Sequence, residues 1–96
     1  MGNPTLPNTK LPIGQWVNLY TAITTAKGST VAVGTAIGIR HLTTGTLQLC
    51  VSASAPTDSS GYEHLSPGEY AECESGDVGF WAKSPFADAT VNLREV

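Results

Sequence analysis

The pattern that most limits the fold of this chain is an alternation of period two, cut at short intervals by turn-forming residues. In Thr46–Ala53, Leu47, Leu49 and Val51 fall on one side and Gln48, Cys50 and Ser52 on the other. In Ala89–Val96, Val91 and Leu93 alternate with Thr90, Asn92 and Arg94. Successive side chains of a strand point to opposite faces, so both segments fit a sheet with one face on a core and one in solvent. Further strands are expected at about 15–20, 29–33, 36–43, 69–74 and 78–83. They are separated by Lys27-Gly28, Thr44-Gly45, Ala55–Gly61, Ser75-Gly76-Asp77 and Ser84–Asp88. About seven short strands in 96 residues imply an all-β fold, a single antiparallel β-sandwich or small barrel.

The weakest of these readings is Gln15–Tyr20. Trp16, Leu19, Tyr20 and Ile23 also sit at helical spacing, with Gly28 as a possible stop. The β-branched Val17, Thr21, Ile23, Thr24 and Thr25 lose side-chain freedom in a helix, which favours the strand.

Residues 1–14 differ from the rest. Pro4, Pro7 and Pro12 each remove a backbone donor and bias the preceding residue to extended geometry. The expected organisation is therefore an extended arm over 1–14 and a β-sandwich domain over 15–96. Pro4, Pro7 and Pro12 are candidate contact residues, on an arm that orders against a neighbouring subunit; a frayed terminus is the plain alternative.

Composition removes several functions. Five basic residues against eight acidic ones give a net charge of −3, with no Lys/Arg cluster to neutralise a phosphate backbone, so no nucleic-acid partner is expected. The apolar runs are too short to span a bilayer, so no membrane partner is expected. The start of the chain lacks the basic and apolar regions of a secretory signal, which with only two cysteines points to a reducing compartment. Cys50 and Cys73 are read as small core residues, with a disulfide across the sandwich as the alternative. His41 and His64 lack metal-ligand spacing, and Glu63 beside His64 faces the opposite way on a strand, so no catalytic residue, metal or cofactor is expected. Glu69, Glu72, Glu74 and Asp77 form an acidic segment, with Glu72 and Glu74 on one strand face. Phe80 and Trp81 are adjacent, hence one inward and one outward. Trp16 and Trp81 are the aromatic candidates for a contact surface.

The order of segments adds a resemblance. Gln15-Trp16-Val17-Asn18-Leu19-Tyr20, Val33-Gly34-Thr35-Ala36, Val51-Ser52-Ala53 running into Ala55-Pro56-Thr57-Asp58, Leu65-Ser66-Pro67-Gly68-Glu69, Gly79-Phe80-Trp81-Ala82-Lys83-Ser84 and Val91-Asn92-Leu93-Arg94-Glu95 together resemble small β-rich virion proteins of tailed bacteriophages. The resemblance covers residues 15–96, and its motifs are patterns of sheet and turn. One departure is Thr21–Thr30, longer than the short turn expected between the first two strands. The resemblance implies a non-enzymatic structural part, a capsid decoration, head-fibre or tail accessory protein, assembled in the host cytoplasm and located in the virion. Its implied partners are itself, about a threefold or other cyclic axis, and a major capsid or tail protein. Two other readings stay open: a carbohydrate- or receptor-binding module of a phage tail using Trp16 and Trp81, and a small host-interaction protein using acidic segment 69–77.

Overall fold

A computed structural model of the chain describes residues 5–57 and 61–96. Pro4, and residues 58–60 of the expected 55–61 turn, lie outside the described residues. The elements are β1 (Thr9–Leu11), β2 (Val17–Asn18), α1 (Leu19–Lys27), β3 (Ile37–His41), β4 (Leu47–Cys50), β5 (Glu63–Leu65), β6 (Tyr70–Glu72), β7 (Trp81–Lys83) and β8 (Ala89–Glu95). They form two four-stranded sheets, ordered β1-β8-β3-β6 and β2-β7-β4-β5, with every strand pair antiparallel. The fold is thus an open β-sandwich, not a closed barrel.

Period two builds the core as expected. From the first sheet Leu11, Ile37, Ile39, Val91 and Leu93 are fully buried, and from the second Leu47, Leu49, Leu65 and Ala82 face them. Each such aliphatic side chain contributes about 1.5–3 kcal/mol by leaving water.

The strand expected at 15–20 is corrected. Only Val17 and Asn18 pair, and the chain then turns into α1, which also accounts for the long Thr21–Thr30 stretch. The Asn18 side chain accepts from Tyr20 N (3.0 Å) and Thr21 N (3.4 Å), while Gly28, at φ 81°, closes the helix by donating its N–H to Thr24 O. Four β-branched residues in the helix cost together about 2 kcal/mol. The Asn18 cap returns about 1 kcal/mol, and burial of Leu19, Tyr20 and Ile23 about 1.5–3 kcal/mol each, so the helix wins. Lys27 Nζ, 2.6 Å from Glu95 Oε1, ties the last turn to the end of β8.

Other boundaries move as well. Residues 29–33 form no strand; Val31 is buried there and donates its N–H to Thr24 Oγ1 (3.0 Å). The 78–83 strand shrinks to β7. Two strands were not foreseen, β5 and, inside the expected arm, β1, which pairs with β8 as Thr9↔Val91 and Leu11↔Ala89. The arm is extended over its described part, but from Thr9 onward it belongs to the chain's own sheet. Asn92 Nδ2 donates to Leu6 O (2.8 Å) and Asn8 Oδ1 (3.0 Å), fixing the residues before β1.

Candidate binding surfaces

The two sheets turn very different outer faces to solvent. On the second sheet the register places Lys83, Gln48 and His64 in one row across β7, β4 and β5. Trp16 extends this row beyond β7, with Lys83 Nζ 5.8 Å from its ring centre. The next row holds Trp81 and Cys50, again paired across β7 and β4. Tyr62, just before β5 and half-exposed, sets its ring 5.4 Å from that of His64. Four rings therefore share one face with a stripe of polar side chains. Trp81 is fixed by its indole N–H, which donates to Ser52 O at 2.9 Å. The side chains of Lys83, Gln48 and His64 form no hydrogen bond or ion pair with any described residue. Lys83 is the one formally charged residue of these two rows.

Trp16 and Trp81, singled out from sequence, are thus brought together on one face. Phe80, next to Trp81, is in the core as the alternation requires. The prolines go elsewhere. Pro7 lines a groove of about 480 Å³ between β1 and α1, beside Val17, Ala22 and Ala26, and Pro12 is exposed just past β1.

At one end of the sandwich the β7–β8 loop presents Phe86. Gly14 N donates to Ser84 O (2.8 Å), Ile13 N donates to Asp88 Oδ1 (2.9 Å), and the Ser84 hydroxyl donates to Ala87 O. The Ile13 N–H holds the Asp88 carboxyl below its usual pKa, with help from Lys10, 3.4 Å away. Between these ties Phe86 is 85% exposed, and Ile13 beside the loop is 51% exposed.

A cleft of about 530 Å³ opens between the β5 and β6 edges, lined by Leu49, Glu63, Ala71, Cys73 and Phe80 among others. Glu63 pairs with Leu49 and points inward, His64 with Gln48 and points outward, so these neighbours are on opposite faces. An inward charge on an edge strand blocks sheet-to-sheet aggregation. Two acids of the segment are held by nearby backbone: Asp77 Oδ2 accepts from Glu74 N (2.8 Å) and Glu69 Oε1 from Ser66 N (2.6 Å). β6 ends at Glu72, so Glu72 and Glu74 do not share a strand face.

Both cysteines are free and buried. Cys50 lies opposite Trp81, on the outer side of the second sheet, whereas Cys73 faces inward. Tyr20 donates its hydroxyl to Thr35 O (2.7 Å), and its oxygen lies 3.4 Å from Cys73 Sγ, whose thiol also reaches Thr35 O (3.8 Å). Burial, then the Cys73 contact, pushes the Tyr20 phenol up to about 12. Among the described residues no group of three or more His, Cys, Asp or Glu side chains is placed to hold a metal. No described helix is long and apolar enough to cross a membrane.

No family model matches the chain, and no curated protein or solved structure matches it.

The Lys83-Gln48-His64 row was missed in the sequence because β5 was missed. Its signal was present: Glu63-His64-Leu65 alternates, and Leu65 is apolar between turn residues. Phe86 carried a signal too, an aromatic inside the Ser-Pro-Phe turn, where no core position exists.

Proposed function

We propose that this protein is a non-enzymatic structural subunit of a tailed-phage virion, a capsid decoration or head-fibre protein that self-associates and docks on the particle. The reading rests on the segment order over residues 15–96, and the observation that carries it is Phe86. An aromatic ring 85% exposed on a loop tied at Ser84 and Asp88 loses little freedom on docking, which is what a permanent assembly contact needs. Ile13 and Pro12 flank the same end, so the arm contributes there, while its Leu11 serves the core. Truncation through residue 12 would therefore remove Leu11 and β1 and unfold part of the first sheet.

The test is quantitative mass spectrometry of purified virions of the phage that encodes the chain, with wild type and Phe86→Ser. Copies in the hundreds per particle are expected for the wild type, and a loss of roughly tenfold or more for a folded Phe86→Ser variant, as for a buried interface aromatic. Absence of the wild-type chain from virions overturns the reading, and undiminished incorporation of Phe86→Ser overturns the role of the loop.

A further inference from the structure

The outer face of the second sheet has a chemistry that assembly contacts at Phe86 do not explain. We propose that it is a saccharide site, taking a pyranose chain that bears carboxylates.

Three observations lead there. First, Trp16, Trp81, Tyr62 and His64 put ring surface on one face, fixed by the β7, β4 and β5 register and by the Trp81 bond to Ser52 O. Rings of this kind offer apolar contact area with few rotatable bonds, and the C–H faces of pyranoses are apolar enough to stack on them.

Second, Lys83, Gln48 and His64 lie between those rings, without a hydrogen-bond partner among the described residues. Covering the face with the core of a protein interface would leave these groups desolvated, at about 1–3 kcal/mol for each one unpaired, and lysine is depleted in such cores. A saccharide is the occupant that serves both needs, since each sugar presents C–H faces to the rings and hydroxyls to the polar row. Neighbouring strands lie about 4.8 Å apart, so Lys83 to His64 spans about 10 Å, the reach of a disaccharide.

Third, the charge is complementary to an anion. The chain carries −3 overall, yet the Trp16–Lys83 end of these rows holds no carboxylate; Glu63, Glu72, Glu74 and Asp77 gather at the cleft beside Tyr62 and Cys50, at the β5 end, so an anionic sugar unit belongs at the Lys83 end. A uronate carboxylate beside Lys83 gains a charge-assisted bond that a neutral sugar lacks.

The test uses the full-length chain at low salt, with trigalacturonate as the anionic probe and maltotriose as the neutral one, followed by calorimetry and tryptophan fluorescence. Trigalacturonate should bind and change the tryptophan emission, with maltotriose at least several-fold weaker. Lys83→Gln should weaken binding roughly tenfold at unchanged melting temperature, and Trp16→Ala should abolish it. Should Trp16→Ala fail to fold, Gln48→Ala takes its place, with weaker binding expected. Any of four results overturns the proposal: no binding of trigalacturonate, equal binding of maltotriose, binding indifferent to Lys83→Gln and Gln48→Ala, or a dimer that Lys83→Gln dissociates, which makes a second copy the occupant. None of these bears on whether the chain is found in virions, so the two readings fail separately.

Discussion

The outer faces of the two sheets obey the same alternation and end up with opposite economies. On the first sheet most outward polar side chains are engaged with a neighbour, Arg94 being the one cation there without a hydrogen bond or ion pair among the described residues. Tyr70 lays its ring over Gly38 and donates its hydroxyl to Glu72 Oε2 (2.7 Å), Arg40 stacks 5.3 Å from that ring and donates to Gly68 O (3.0 Å), and Asn92 holds the arm. On the second sheet the Gln48 side chain has no partner among the described residues, and those of Lys83 and His64 meet only the rings of Trp16 and Tyr62, with no hydrogen bond or ion pair to a described residue. An outward polar residue that is satisfied by its own chain contributes to stability; one that is not is available to something else. Polarity alone does not separate these cases, because both faces are polar in sequence.

The comparison predicts that substitutions on the first face cost stability and those on the second cost binding. The largest effect should come from Gly38→Val. Any Cβ there would overlap the Tyr70 ring, so the ring must leave and its bond to Glu72 with it, at about 1–3 kcal/mol, read as a lowered melting temperature. Next is Asn92→Ala, which deletes two bonds to residues 6 and 8 and should cost about 1–2 kcal/mol, with faster proteolysis between residues 5 and 8. Alkaline pH sharpens the contrast further. Burial first, then the Glu72 acceptor, pushes the Tyr70 phenol up to about 12, and Tyr20 is raised as far by burial and Cys73. The folded chain thus keeps protons that the unfolded chain releases near 10, so stability is full below pH 10 and falls as pH rises from 10 to 12. Tyr70→Phe should flatten that fall in a denaturation series. The smallest effect belongs to the second face: Gln48→Ala and His64→Ala should each change stability by less than about 0.5 kcal/mol. Costs equal to that of Gly38→Val would erase the distinction.

The sandwich was legible in the sequence where strands have one dry face. β3, β4 and β8 alternate for four or more residues, and their inward apolar residues are buried, joined from the outer side by Gly38 and Cys50. The short β6 and β7 fall within the strands expected at 69–74 and 78–83, but three other elements were not legible. β1, β5 and α1 depend on partners distant in sequence: Leu11 is apolar among prolines and becomes core only because β8 pairs with it. For α1 the β-branched residues argue for a strand, and the Asn18 and Gly28 caps with the burial of Leu19, Tyr20 and Ile23 outweigh them. Of the candidate contact residues, Trp16 and Trp81 could be named but not placed together, since their shared face exists only through β2, β7 and β4 pairing. Phe86 needed no pairing to be noticed, only the recognition that a turn offers a large ring nowhere to go.

The most direct measurement of the difference between the faces is amide chemical-shift mapping of the full-length chain titrated with trigalacturonate. Shifts should concentrate at Trp16, Gln48, His64, Trp81 and Lys83, with Arg40, Tyr70, Glu72 and Arg94 unmoved. Shifts on the first sheet's outer face, or none on either, would contradict the saccharide site.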